Sequence, residues 1–149
     1  MRRKSLELQH LYLRDINIIK DELNKFPSDE SLWKDYQGIN NCAGNLILHI
    51  CGNLQHFIGT KLGNTGYIRE RDKEFSDKNV SIAELNKLID EAYHAVEKTF
   101  DQLEDESFDD LYPETFQGES ISCYQMLTHI YAHLSYHLGQ INYYRRLHT

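Results

Sequence analysis

Three histidines near the end of the sequence are the residues best suited to do chemistry. His129, His133 and His137 recur every four residues in HIYAHLSYHLGQI. Each residue of an α-helix turns by about 100°, so steps of four keep these side chains on one face. Neutral imidazole is a favoured ligand for zinc, nickel, copper and iron, and two histidines at i and i+4 can bind one ion. The spacing predicts a metal-binding face that needs a further ligand from another segment.

The segment 42–62 offers that ligand. It is apolar on one helical face, and another face carries four polar residues within about 40° of each other: Asn45, His49, Asn53 and His56. Charged side chains are almost absent before Lys61, which predicts a helix buried on most sides, where polar groups need partners. His49 is therefore the candidate for the third metal ligand.

Five of the eight histidines lie on these two faces. The ordinary alternative is that their imidazoles bind backbone, water or each other. Several uncompensated imidazoles in one core would be costly, and shared coordination of one ion resolves them together, which favours a metal. His56 and His129 are expected to pack or line the pocket. The polar residues expected around the ion, besides these two, are Asn45, Asn53, Gln140 and Tyr144.

Four amphipathic segments must position these residues. They are 5–26, 42–62, 81–103 and 124–147, and each has apolar residues at helical spacing. Ser81 with Glu84, and Ser122 with Gln125, are capping-box patterns that predict helix starts. The sequence predicts an all-α fold: a single four-helix-bundle domain over 1–149, with a long crossover at 59–79 and a metal site between the second and fourth helices.

Composition limits the partners. The net charge of −7, without a basic stripe, argues against nucleic acid, and no segment approaches the roughly 20 apolar residues of a membrane span. The first residues lack the apolar stretch of a signal peptide. Cys42 and Cys51 lie about half a helical turn out of phase and cannot form a disulfide bond. A cytoplasmic protein with a small-molecule substrate is expected.

Three stretches together resemble one known superfamily. His49-Ile-Cys-Gly-Asn-Leu54, the loop 67–75 and His133-Leu-Ser-Tyr-His-Leu-Gly-Gln-Ile141 are similar in order and spacing to the DinB-like superfamily, including its YfiT-type, bacillithiol-transferase-like members. The resemblance implies a four-helix bundle, often a homodimer, with a divalent ion on three histidines. By position the implied ligands are His49, His133 and His137. The ion stays open among zinc, nickel and iron.

Three histidine ligands leave coordination positions open, as catalytic sites do. Members of the resembled superfamily with known chemistry use low-molecular-weight thiols, so thiol S-transfer is the first hypothesis. Arg69 and Arg71 would then meet carboxylates of an anionic thiol, although two exposed arginines in a charged loop is as good an interpretation.

Two alternatives stay open. A metal-dependent hydrolase needs a general base. Neither histidine face carries Asp or Glu, so a loop carboxylate such as Glu74 would have to fold in. A non-catalytic, metal-binding stress protein would instead close the coordination sphere with a fourth ligand, for example His129.

Overall fold

Four long helices and one short helix make up the bundle. The computed structural model describes residues 1–148, and the helices are α1 (Arg3–Leu23), α2 (Ala43–Leu54), α3 (Arg71–Ser76), α4 (Ile82–Gln102) and α5 (Cys123–Arg146). Short 3-10 turns occupy Glu30–Trp33 and Asp105–Asp109. Apart from three isolated bridges, residues 1–148 contain no β-structure. The all-α prediction is confirmed, and the predicted second and fourth helices correspond to α2 and α5.

Two of the helix starts are set by the predicted capping boxes. The Ser81 hydroxyl accepts a hydrogen bond from the Glu84 amide at 3.1 Å, and the Ser122 hydroxyl accepts one from the Gln125 amide at 3.1 Å. Each serine satisfies an amide that the first turn of the helix leaves without a partner. The second cap fixes the residue at which α5 begins, and with it the position of the α5 histidines along the bundle axis.

The second predicted helix changes type near its end. Residues 42–62 were expected to form one α-helix, but the α-helix ends at Leu54 and continues as a π-helix over Gln55–Thr60. The Gly63 amide donates to the Ile58 carbonyl at 2.9 Å, which is the i→i+5 pattern. The wider turn changes the helical register after Leu54, and His56 lies beside Glu114, with 3.5 Å between Nε2 and Oε1.

The core lies where the long helices meet. α1 packs on α4 and α5, while α2 packs on α3, α4 and α5. The largest fully buried side chains are Tyr12, Ile19, Leu23, Leu32, Ile47, Leu54, Ile58, Leu85, Phe100, Met126, Leu127 and Ile130. The Tyr12 hydroxyl donates to the Leu127 carbonyl at 2.5 Å, so the one polar atom of this buried ring is satisfied. The direct packing of α2 on α5 brings the two histidine faces together.

The predicted long crossover contains a helix of its own. α3 interrupts the connection between the π-helix and α4, and it packs on α2. Asn45, fully buried in α2, donates from Nδ2 to the backbone carbonyls of Glu74 at 2.8 Å and Asp77 at 2.9 Å. Asn45 was predicted to line the metal pocket. Its amide instead anchors the end of α3 against α2.

The three cysteines, Cys42, Cys51 and Cys123, are buried and carry free thiols. Burial raises the pKa of the Cys51 thiol to about 12, which makes it inert at neutral pH.

Within residues 1–148, every helix falls short of the length and apolarity required for a membrane span.

A buried ion pair joins α1 to α5 and makes stability depend on pH. Glu22 is 5% exposed and accepts hydrogen bonds from Arg145 Nε at 2.7 Å and Asn142 Nδ2 at 2.9 Å. The hydrogen bond from Arg145 lowers the pKa of Glu22, and burial opposes it less strongly. This stabilisation is present above the unfolded carboxyl pKa of about 4.3 and is lost as pH falls through the lower folded value.

We predict that Glu22→Gln destabilises the fold by about 1–2 kcal/mol at pH 7 and by much less at pH 3. Urea unfolding of metal-free wild type and variant at both pH values measures the difference. Contributions from other titrating groups cancel because both proteins carry them. A difference that is the same at both pH values would contradict the assignment.

Candidate metal centre

Three imidazole nitrogens converge between α2 and α5. His133 Nε2 lies 3.0 Å from His49 Nε2 and 3.1 Å from His137 Nε2. One nitrogen from each ring lies within 4.8 Å of the others. His49 is buried, and the other two are partly buried. These residues, called the histidine triad below, are the three that the sequence singled out, and their predicted convergence is confirmed.

Hydrogen bonds on the far sides of two rings orient the nitrogens. His49 Nδ1 lies 3.0 Å from Glu74 Oε1, and His137 Nδ1 lies 2.7 Å from Gln140 Oε1. An ionised carboxylate and an amide oxygen only accept, so both Nδ1 atoms carry the proton. The Nε2 atoms of His49 and His137 therefore present lone pairs to the centre. Metal-binding histidines are oriented in this way by a second hydrogen bond.

The surroundings of His133 and His137 favour their neutral form. Burial lowers the pKa of His133 to about 3, and the neighbouring rings of His137 and His49 lower it further in the same direction. Burial also lowers the pKa of His137, although its hydrogen bond to Gln140 opposes this. Neutral imidazole is the form that binds a metal ion, so at neutral pH His133 and His137 are in the form required for binding.

The donor set fits a divalent ion. His133 Nε2 can carry at most one proton, so it cannot satisfy the lone pairs of both neighbours. A cation bound by the three nitrogens satisfies all of them together. Among residues 1–148, no fourth His, Cys, Asp or Glu joins the group. A bound ion would therefore keep coordination positions for water or substrate, which distinguishes catalytic from structural sites.

A buried carboxylate supports the triad from behind His49. Glu74, on α3, is 6% exposed and accepts from Arg69 Nε at 2.8 Å and Nη2 at 2.9 Å. Burial raises the pKa of Glu74, but the hydrogen bonds from His49 and Arg69 outweigh it, and the pKa lies below its usual value. Glu74 was considered as a general base from the loop. It does fold in, but both of its oxygens are engaged, so it orients His49.

The absence of a side chain at Gly52 makes this arrangement possible. A Cβ at residue 52 would overlap the Glu74 carboxylate. Gly52 lies one helical turn after His49, so the carboxylate passes over bare backbone to reach the ring. Sequence reasoning did not identify Gly52 or the pairing of Glu74 with His49. A glycine one turn from a candidate ligand inside an apolar helix was the available signal.

Two concave surfaces reach the triad. The first, called the small cavity, has a volume of about 240 Å3 and is lined by His49, Asn53, Phe57, Arg69, Arg71, Phe116, Met126, His129, Ile130 and His133. Besides the ligands, its lining contains four residues that the sequence placed in the pocket or the substrate loop: Asn53, His129, Arg69 and Arg71. Arg69 is paired with Glu74, whereas Arg71 makes no ion pair within residues 1–148. The assignment of both arginines to substrate stays a prediction.

The second concave surface, called the groove, has a volume of about 820 Å3 and begins at His137. It is lined by Gly38, Ile39, Asn40, Asn41, Leu46, Tyr136, His137, Gly139, Gln140, Tyr143, Tyr144 and Leu147. Gln140 and Tyr144, both predicted near the ion, therefore lie on this side. The Tyr144 hydroxyl donates to the Asn41 carbonyl, which ties α5 to the segment before α2. The groove is largely apolar, whereas the small cavity carries the charged groups.

We expect protein prepared without a nickel column to contain close to one equivalent of divalent metal, because three imidazole nitrogens converge. His133→Ala removes the central nitrogen and should lose the ion. Elemental analysis measures the content, and His94→Ala is the matched control because its side chain is 74% exposed and pairs with Glu97 of the same helix, outside the triad. Equal metal content in both variants would contradict the centre.

Glu74→Gln should weaken metal affinity by roughly 10- to 100-fold, because the amide removes the charge that compensates Arg69 and replaces one acceptor oxygen with an NH2 group that cannot accept from Arg69 Nε. Gly52→Ala should have a similar effect, since its methyl group displaces the carboxylate. Competition with a chromogenic chelator measures affinity. Glu70→Gln is the control because it removes an exposed carboxylate from the same segment. An unchanged affinity in both Glu74→Gln and Gly52→Ala would show that Glu74 does not position the ligand.

The comparison with known proteins extends over the whole site. A family model described as "Protein of unknown function (DUF1572)" matches residues 4–148. A search of curated proteins found no match to this chain. The matched range includes the four long helices except for the first residue of α1, the connection that carries Glu74 and all three histidines of the triad. The chain therefore belongs to the DUF1572 family of proteins of unknown function, with a three-histidine group that could hold a metal ion.

Proposed function

We propose that this protein is a divalent-metal-dependent S-transferase for low-molecular-weight thiols, working as a homodimer, and that its family is a branch of the DinB-like superfamily. The observation that carries the proposal is that two unlike concave surfaces meet at the triad. His49 and His133 line the small cavity, and His137 lines the groove. A transfer reaction must bring two substrates to one point, and two separate approaches provide for this.

The site residues have three roles in the proposed reaction: they bind the ion, orient its ligands and exclude water. A divalent ion on the triad supplies a Lewis acid that lowers the pKa of a coordinated thiol. Glu74 and Gln140 keep the ligand nitrogens pointed at the centre, and Phe57, Phe116 and Met126 give the small cavity apolar walls that limit water. Such preorganisation reduces the reorganisation needed during the reaction.

The reaction is a displacement at an electrophilic carbon. The thiol S–H bond breaks and its proton goes to solvent. The sulfur electron pair forms the new S–C bond, while the bond to the leaving group breaks and that group departs with its electron pair. The thiol enters through the small cavity and the electrophile through the groove, whose tyrosines Tyr136 and Tyr143 are 65% and 71% exposed and can contact an apolar molecule.

A second candidate, metal-dependent hydrolysis, is favoured by His129. Its ring lines the small cavity beside two triad members, packs against Phe116 with 4.5 Å between ring centres, and makes no hydrogen bond within residues 1–148. A free imidazole near the ion is a suitable general base. The engagement of Glu74 leaves His129 as the base such a hydrolase would use. The third hypothesis, a non-catalytic metal protein, loses support because no fourth His, Cys, Asp or Glu within residues 1–148 completes the coordination sphere.

Metal-loaded protein should accelerate the reaction of thiols with a bimane electrophile by at least about 30-fold, because a thiol of pKa near 8.5 is only about 3% ionised at pH 7. His133→Ala should lose this acceleration, while His94→Ala should retain it. Thiol depletion measured with cysteine, glutathione and mercaptosuccinate provides the readout.

Equal rates for wild type and His133→Ala with all three thiols would count decisively against transfer. The same preparations, offered ester, amide and phosphate substrates, discriminate the second candidate. Turnover there that disappears in His129→Ala would make the protein a hydrolase instead.

A further inference from the structure

The small cavity is positively charged in an acidic protein. The chain has 23 acidic and 16 basic residues, yet among the described residues that line this cavity there is no Asp or Glu. Two arginines line it, and a divalent ion on the triad would add further positive charge. Charge of one sign in a partly enclosed cleft attracts a ligand of the opposite sign.

The two arginines differ in what they are free to do. Arg69 is neutralised by Glu74 through two hydrogen bonds. Arg71 makes no ion pair or hydrogen bond through its side chain within residues 1–148, and its guanidinium lies 5.2 Å from the centre of the Phe75 ring. Phe75 in turn packs against His49, with 4.9 Å between ring centres. Arg71 is thus an uncompensated charge held close to the triad.

Asn53 provides a second, independent observation. It lines the cavity and is 9% exposed as a whole residue, yet its amide has no hydrogen-bond partner among residues 1–148. Every fully buried side-chain nitrogen and oxygen in that range has a partner, so the Asn53 amide atoms are themselves accessible, and the cavity is the space that reaches them. An amide with a free donor and a free acceptor at a cavity wall can bind a ligand with a complementary polar group.

We propose that the small cavity binds a small molecule through its carboxylate, which Arg71 and Asn53 bind together. Guanidinium matches the planar geometry of a carboxylate, and the Asn53 amide donates to the same group. Phe57 and Phe116 contact the carbon chain. A cavity of about 240 Å3, roughly eight water volumes, limits the ligand to a small acid.

In one respect this inference rests on the proposed function. If the thiol enters through the small cavity, then a thiol that carries a carboxylate is the favoured substrate, with its sulfur toward the triad. The carboxylate site itself does not require S-transfer. A binding experiment without metal therefore separates the two ideas.

The experiment uses the full chain freed of metal, because a carboxylate would otherwise bind the ion directly. Succinate and its uncharged diamide are titrated by NMR, following the backbone amide signals of the residues that line the cavity and, where Asn53 is present, its side-chain amide signals. We expect succinate to bind at least 10-fold more tightly than the diamide. Arg71→Gln and Asn53→Ala should each weaken succinate binding at least 10-fold. Arg3→Gln removes the same charge from an exposed position, with 80% of its side chain accessible, and should bind as wild type does.

Several results would overturn the proposal. These are equal affinity for succinate and its diamide, unchanged succinate affinity in Arg71→Gln, or tighter binding of inorganic phosphate than of succinate. Arg71 is exposed, so its variant should fold, and a thermal melt checks Asn53→Ala. Selective succinate binding together with failed thiol transfer would refute the proposed function and leave the carboxylate site standing. In metal-loaded protein, Arg71→Gln should raise KM for mercaptosuccinate and leave KM for 2-mercaptoethanol unchanged.

Discussion

The buried carboxylate of Glu74 is the interaction on which the site depends. An ionised carboxylate at 6% exposure is tolerable only when its charge is compensated, because burying an unpaired charge costs several kcal/mol. Arg69 provides the opposite charge, and His49 donates a further hydrogen bond to the carboxylate. The missing side chain at Gly52 leaves room for the carboxylate beside α2. Each of these groups has one position compatible with the others, so the ligand nitrogen of His49 has one direction in which to point.

This dependence links the connection between α2 and α4 to the metal ligands. Glu74 and Arg71 both belong to α3, and Asn45 holds the carbonyl of Glu74 against α2. The same six-residue helix therefore orients a ligand on one side and charges the small cavity on the other. Any displacement of α3 would change ligand geometry and cavity charge together. A long connection of this kind resembles a functional loop more than a passive link.

The parts of the fold that the sequence predicted are those determined by local periodicity. Helical spacing and two serine caps located the long helices, and a four-residue repeat of histidines located two of the three triad members. His49 was found because its neighbours on one face were unusually polar for an apolar helix. The pairing of Glu74 with His49 was missed because it joins residues 25 positions apart, through a loop without periodicity. The π-helix was also missed, and it placed His56 beside Glu114.

The same network bears on the choice between the two proposed chemistries. A hydrolase of this type needs a base beside the ion, and the obvious carboxylate is already bound by Arg69 and His49. Releasing Glu74 for proton transfer would leave Arg69 buried without its partner and would free the ring of His49 to turn. The carboxylate is thus fixed in a supporting role by the cost of its own release. Without a carboxylate base, the group offers three nitrogen donors and two routes of approach, and these are the features on which the proposed thiol transfer rests, while hydrolysis would depend on His129.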